Sequence, residues 1–394
     1  GKTGPQGAFA GGKVSITAKS ARLSLGDRLG QFGSGAVVNL TLDRPSATGP
    51  WNAQASLATL NLTGRGVSIP QTNARGLTLQ WNGTDSVGTG QLAARIDAMT
   101  TSQSGLRGLG LAGSNLMVQA SRLENGSFEL SSFSADSFVF NNPVVSVATG
   151  SVTLAGNLSA NGLTEAWLKT PSLTLTSPNQ LSRPFVASDV DVAGDVLPRG
   201  VRLPAIQFMH RGIAVQGGVE VALARRGSAM VNLDADIDGE IDVESLLAGW
   251  PRGFLPETRT AIANVVKEGV GKTDHLVLRI PAGLLKGQPG GPDMIALDFD
   301  IRDATVQYLP QMTALTDVSG RARLTGNSFH VDIDGGKLGE LTLSESSFAI
   351  PKFQPKNSEG VVHAKVSGSV ALMAQEADRE PLRLLSKAQF DPAR

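Results

Sequence analysis

Asp234-Ala235-Asp236-Ile237-Asp238-Gly239 sets three carboxylates at alternate positions and closes on a glycine, which is how a calcium-binding loop begins. Ile241 also suits such a loop. The twelfth position should be a glutamate that grips the ion with both oxygens, but Ser245 stands there and Glu244 comes one place early. A calcium loop also needs helices on both sides, whereas Met230-Val231-Asn232-Leu233 alternates as a strand does. Carboxylates alternating with Leu233, Ala235 and Ile237 read as the wet face of that strand.

Other motifs fail on similar grounds. Gly108-Leu109-Gly110-Leu111-Ala112-Gly113 matches the dinucleotide fingerprint, but a strand-like run, Leu116-Met117-Val118-Gln119-Ala120, follows in place of the helix that would meet a pyrophosphate. It reads as a Gly-rich connection. Gly269-Val270-Gly271-Lys272-Thr273 resembles the end of a phosphate loop, but position 266, where the first glycine belongs, is Val266. It reads as a loop after a helix. His210, His275, His330 and His363 stand singly, without a partner at metal-ligand spacing. No Gly-x-Ser-x-Gly elbow occupies a strand–helix turn. The expectation is a protein that is not an enzyme and uses no cofactor.

Composition agrees. Lys+Arg and Asp+Glu are both 35, so the basic excess of a nucleic-acid binder is missing. With 0 cysteines there is no thiol nucleophile and no disulfide. Hydrophobic residues reach 41%, yet charged residues are only 18% and aromatics 5%, with 46 glycines. Few aromatics favour a thin, extended β structure over a compact sandwich. No run approaches the ~18 apolar residues of a membrane-spanning helix. Gly1-Lys2-Thr3-Gly4-Pro5 is no signal peptide and Phe390-Asp391-Pro392-Ala393-Arg394 is no special ending, so both ends read as cut points in a longer chain.

Period-two alternation dominates what remains. Val14-Ser15-Ile16-Thr17-Ala18, Val38-Asn39-Leu40-Thr41-Leu42, Leu77-Thr78-Leu79-Gln80-Trp81 and Leu297-Asp298-Phe299-Asp300-Ile301 are clear cases. Turn signals fall between the runs: Asn82-Gly83, Glu124-Asn125-Gly126, Asn161-Gly162, Gly217-Gly218 and Asp334-Gly335-Gly336. A recurrence of roughly 10 to 15 residues predicts about 25 short antiparallel strands. Two segments break the pattern. In Val243–Gly269, Pro256 and Glu257 predict a helix start and Gly269 its stop. Ala371–Phe390 carries Pro381 before Leu382, Leu384 and Leu385, and Leu163–Lys169 suggests one further helical turn.

So many strands with one apolar face need something to hide that face, and the helices are too few. A sheet curled with its apolar face inward satisfies the pattern. Strands stack about 4.8 Å apart, so the trough would be on the order of 100 Å long. If nothing in the protein fills it, it suits acyl chains, each buried CH₂ gaining roughly 0.8 kcal/mol. A β-solenoid filled by its own side chains, structural or adhesive in role, satisfies the same alternation. A secreted hydrolase or calcium-binding module would require Asp234, Asp236 and Asp238 to converge.

From about Phe185 to Phe353 the chain resembles the AsmA-like superfamily, in the YhdP-like group related to TamB. The cues run in order: Asp189-Val190-Asp191-Val192-Ala193-Gly194, Leu203-Pro204, Ile241-Asp242-Val243, Leu246-Leu247, Trp250-Pro251 and Arg259. They continue with Val306-Gln307-Tyr308-Leu309-Pro310, Leu315, Asp317, Gly320, Phe329 and Gly335-Gly336. The resemblance implies bridge-like lipid transfer proteins of the Gram-negative envelope. These are anchored in the inner membrane by an N-terminal helix and extend through the periplasm. They move phospholipid toward the outer membrane and carry no catalytic residues. The regions of Trp250 and Tyr308 would be structural markers.

The expected fold is therefore all-β with one or two short helices, an elongated, curled antiparallel sheet forming an open apolar groove of the β-taco type. A segment 1–184 would precede an AsmA-like segment 185–394 with a helical insertion near 244–269. Expected partners are phospholipid acyl chains, the inner membrane and outer-membrane or periplasmic proteins, without nucleic acid. The groove would be lined by Leu40, Leu62, Leu77, Leu79, Trp81, Ile96, Val118, Leu154, Leu175 and Val192. In the second half it would be lined by Val221, Leu297, Phe299, Ile301, Val331, Ile333 and Leu343. A charge at Phe299 would be expected to block passage at modest cost to folding.

Overall fold

The computed structural model describes residues 2–3, 9–24, 31–63, 71–84, 88–103, 109–159, 161–223, 229–281, 291–353 and 359–388. It is about 68% strand and 10% helix, an all-β antiparallel protein with a curled sheet. The chain forms two compact units. The first comprises Gly1–Pro178 and Pro184–Met209, the second Asn179–Arg183 and His210–Arg394.

In the first unit each long strand pairs antiparallel with the next, because each has an apolar and a polar face and a connection short enough to return on itself. Phe9–Ser24, Gln31–Arg44, Asn52–Thr63, Gln71–Gly83, Gly90–Gln103 and Leu109–Arg122 follow in order. Two broken strands come next. Phe128–Ala135 and Ser137–Asn141 both pair with Leu109–Arg122. Ser146–Thr149 and Val152–Ser159 then bridge to Gly162–Thr176. Phe185–Leu197 and Gly200–His210 complete the unit's order.

A line of bends crosses these strands. The pairs Arg75↔Ala98, Ala98↔Ser114 and Ser114↔Ser137 bring Gly76, Asp97, Asn115 and Asp136 into one row. Gly76 and Asn115 are left-handed, with φ 62° and 48°; Asp189, on a later strand, has φ 52°. Each bend shifts the alternation by one residue: Ala74 and Leu77, three apart, are both buried. Such irregularities bend and twist a strand. The bend is toward the apolar face, since Phe133 and Phe138, on either side of Asp136, meet edge to face with centroids 6.4 Å apart. Along a flat strand those positions would point to opposite faces. Leu116, Ala135 and Val152 lie buried in the crease, with Ile96, Met99, Phe133, Phe138 and Leu168 packed around them.

In the second unit Ile213–Leu223 pairs with Ala229–Asp238, which continues as Glu240–Asp242. The chain then leaves the sheet for helices α1, Val243–Gly249, and α2, Pro256–Val265. It returns as Val266–Lys272 and His275–Pro281 beside the strands it left. Ile295–Val306 pairs with both returning strands, and Leu315–Thr325, Phe329–Leu338, Leu341–Ile350 and Val361–Ser367 follow. Helices α3, Val370–Ala377, and α4, Leu384–Lys387, come last. Here too non-glycine residues turn left-handed within strands, at Asp303, Asp317 and Glu345. Asp317 and Glu345 pair with Lys337 and Lys365 at 2.8 and 2.6 Å.

Several expectations need correction. Leu163–Lys169 is not helical but lies in the strand Gly162–Thr176, where Glu165 at φ 49° shifts the alternation so that it mimics a helical spacing. Gly217-Gly218 and Gly335-Gly336 lie inside strands, whereas Asn82-Gly83 does end one, as expected of a turn signal. Gly110 and Gly113 lie in Leu109–Arg122, so the Gly-rich stretch is no loose connection; Gly108 is outside the described residues. Val266–Lys272 is a strand, so α2 stops at Val265 and Gly269 is no helix stop. Gly269 instead lets the strand approach Ala304, whose Cα and Cβ would lie 2.9 Å from any Cβ at 269. These glycines and carboxylates serve bends and close approach within strands, so the strands run longer than expected. Pro256 does open α2, and Asp242 caps α1. The Ala371–Phe390 segment holds α3 and α4, with Phe390 outside the described residues.

Candidate functional site

In each unit the two faces of the sheet differ sharply. In the second unit one face carries a cross-strand ladder, with Arg323 donating to Asp298 at 2.6 Å and Arg321 to Asp300 at 3.0 Å. The Arg323 hydrogen bond holds the Asp298 carboxyl below its ordinary pKa. Lys169 and Asp191 form a similar pair in the first unit, at 2.8 Å. A surface depression of about 540 Å³ opens beside the first unit's bends, with Asn39, Ser56, Thr78, Arg95 and Asp97 on its wall. These groups are solvated, and exposed pairs contribute little to stability.

The opposite face is apolar and in register. Ile16 faces Leu40, Leu40 faces Ala55, Ala55 faces Leu79, and Leu79 faces Ala94. Ala94 then faces Val118, Val118 faces Phe133, Phe133 faces Leu154, and Leu154 faces Leu168. Leu168 faces Val192 and Val192 faces Ile206, which completes a file of eleven residues without one polar member. With strands about 4.8 Å apart, the file runs roughly 50 Å. Among the described residues no helix belongs to this unit. Ile206 is buried, Ile16 is exposed, and the other nine are half-buried. Side chains of a covered core would be shut away, so this face retains access to solvent.

The expected groove residues of the first unit fall on this face where their side chains are described. Leu40, Leu79, Val118, Leu154 and Val192 are members of the file itself. Leu77 faces Leu57 and Ile96 faces Leu116 in the neighbouring file, and Trp81 lies between Ala53 and Leu92 in another. Leu175 faces Val147 and Phe185 beyond the bend. Leu62 is in register with Thr72, its side chain outside the described residues. Ile16, Ala55, Ala94, Phe133, Leu168 and Ile206 were not among the expected residues; the alternation of small residues around Ala94 was the available signal.

The second unit treats its apolar face differently. Leu297 lies between Leu276 and Leu324, Phe299 faces Ala322, and Ala322 faces Val331. Ile301 and Ile333 both face Gly320, Val221 faces Val231, and Leu343 faces Val366 and Gly336. Over part of this face sits the segment joining α1 to α2. Phe254 is buried with Ile295 and Leu324, and Trp250, Leu297, Phe299 and Phe329 pack around them. The Trp250 indole donates to the Phe254 carbonyl at 2.6 Å. Phe299 is therefore not a free lining residue, and a charge there would fall into an aromatic cluster. Tyr308 sits between strands, its hydroxyl pKa raised by burial and by the nearby Glu376 carboxylate.

Asp234, Asp236 and Asp238 lie exposed along the strand Ala229–Asp238. His275 lies 3.4 Å from Asp234 and 2.8 Å from Asp236. Among the described residues no group of three acidic, histidine or cysteine side chains is placed to hold a metal ion, and no helix is long and apolar enough to cross a membrane. Comparison with known protein families, with curated proteins and with solved structures gave no match.

Proposed function

We propose that this chain is a segment of a lipid-conducting groove that moves phospholipid between the inner and outer membranes of a Gram-negative envelope. The observation that carries the reading is the eleven-residue apolar file of the first unit, in register and partly accessible to solvent. Acyl chains would lie against Leu79, Val118 and Leu154 while head groups stay in water. The gain is roughly 0.8 kcal/mol for each CH₂ taken out of water. The work is transport, without a catalytic residue or cofactor, so the chain is read as non-enzymatic. The AsmA-like resemblance supports a periplasmic location, an inner-membrane anchor outside this sequence, and partner proteins in the periplasm or outer membrane.

Native mass spectrometry of the purified chain, followed by solvent extraction, tests the reading. Phospholipid bound in near-fixed ratio, and lost in a Leu79→Asp variant that still folds, is the expected result. A lipid-free protein that takes up no fluorescent phospholipid from vesicles would favour the self-filled structural solenoid.

A further inference from the structure

We infer that the segment between α1 and α2 is a displaceable plug on the second unit's apolar face, with Phe254 and Trp250 standing where an acyl chain would lie. The inference rests on the groove reading and concerns its regulation. The first observation is position. Phe254 is buried with Ile295 and Leu324, and Leu297 and Phe299 pack against that cluster, on the face opposite the Asp298 and Arg323 ladder. This is the same kind of face that, among the described residues, carries no helix in the first unit.

The second observation is how weakly the segment is held. Phe254 is its one buried residue among those described between 243 and 265. α1 buries none of its residues. α2 starts from Leu255 in a left-handed conformation, φ 42°, without a side-chain cap. A non-glycine residue held there is strained. Arg259 ties the helices together by donating to the Leu247 carbonyl at 2.9 Å, yet its Nε is buried without a partner. A buried donor left unsatisfied is a cost that opening would relieve. Elsewhere the segment is held by polar contacts: Arg252 N–H to the Gln180 carbonyl at 2.7 Å, Gly253 N–H to the Gln180 side chain at 3.1 Å, and Arg183 to Glu244 at 2.6 Å. A single buried residue and hydrogen bonds that are exposed or only partly buried mark a region that opens locally. The occupant that would displace it is a lipid acyl chain, since only an apolar chain offers Ile295 and Leu324 what Phe254 now gives them.

The sequence has 0 cysteines, so a disulfide can be introduced cleanly. Gln180 and Arg252 are joined through their backbones, which places their Cα atoms within the span a disulfide bridges. In a Gln180→Cys, Arg252→Cys chain, oxidation pins the plug and reductant frees it. The photo-crosslinking residue p-benzoylphenylalanine replaces Phe299 under the plug or, as a control, Leu154 in the first unit. The probe is a vesicle of phosphatidylethanolamine and phosphatidylglycerol. Oxidation is expected to cut the lipid adduct at 299 roughly tenfold and leave that at 154 unchanged, because a pinned plug removes the competent population. Phe254→Ala should raise the adduct at 299. Equal adducts at 299 in both redox states, with an adduct at 154, overturn the plug and leave the groove standing. No adduct at either position removes the groove reading, and the plug with it. The disulfide pair keeps Phe254, so its result decides even if Phe254→Ala folds poorly.

Discussion

The two units are built from the same kind of strand but treat their apolar faces differently. In the first, a file from Ile16 to Ile206 crosses eleven strands, with no helix in the unit among the described residues. In the second, one excursion of the chain between Asp242 and Val266 lays Phe254 and Trp250 on the equivalent face. Alternation makes an apolar face in both. A single aromatic anchor from a non-sheet segment then decides whether that face is a floor or a core.

The largest effect should separate crease from floor. Leu116 is 3% exposed at the bend of the first unit, whereas Leu79 is half-buried in the file. Leu116→Ala should cost about 3 kcal/mol, because a cavity forms where the bent sheet cannot collapse. Leu79→Ala should cost about 1 kcal/mol, because part of its surface already meets solvent and no closed cavity is left. Urea unfolding of the two variants measures the difference. Equal losses would mean the floor is as well covered as the crease, and the contrast between the units would disappear.

Phe254→Ala comes next. Loss of a buried phenylalanine costs about 3–5 kcal/mol when the site is a rigid core. A plug that opens locally limits the loss to its own docking free energy, so about 1–2 kcal/mol is expected here. Hydrogen exchange should speed up within 243–265 and leave the strand Leu315–Thr325 protected. Exchange that spreads through that strand would make Phe254 part of an integral core.

Much of this was legible in the sequence, and the failures share one cause. Val38 to Leu42, Leu77 to Trp81 and Leu297 to Ile301 alternate cleanly, and all lie in strands. Glycines and carboxylates misled where they sit within strands. Asp334-Gly335-Gly336 and Gly217-Gly218 look like turns because glycine usually ends a strand, but here it serves a bend or a close approach. Leu163 to Lys169 looked helical because Glu165 adds one residue to the period. Most of the expected groove residues share a face because period two fixes sides once one residue is placed. What periodicity could not reveal was cover: Phe254 lies in a segment outside the alternation, and Ile295 and Leu324, with which it is buried, are distant in sequence.

The bends themselves give a pair of predictions of opposite sign. Gly76 is left-handed, and a Cβ there would collide with the Asp97 carboxylate. Gly76→Ala should therefore destabilise by roughly 1–2 kcal/mol. Asp189 adopts the same conformation with a side chain, so Asp189→Gly should stabilise by about 0.5–1 kcal/mol. Both are read as shifts in the urea midpoint. Two shifts of the same sign would mean that the left-handed backbone is not what sets the cost of the bend.

The smallest effect concerns acid, and it bears on the plug. Asp242 caps α1 by accepting hydrogen bonds from Ser245 N at 2.8 Å and Ser245 Oγ at 2.7 Å. These bonds hold its carboxyl below the ordinary aspartate value. A carboxylate whose folded pKa is depressed contributes stability above its unfolded pKa, about 3.9, and that stability is lost as pH falls through the lower folded value. The second unit should thus weaken below about pH 4, first where α1 begins, by less than about 1 kcal/mol because the group is exposed. Asn caps as well as Asp but does not titrate. Asp242→Asn should match the parent at pH 7 and lose less between pH 5 and pH 3 in urea melts. If the two chains lose the same amount, the acid sensitivity lies elsewhere, and protonating this cap is not what loosens the segment carrying Phe254.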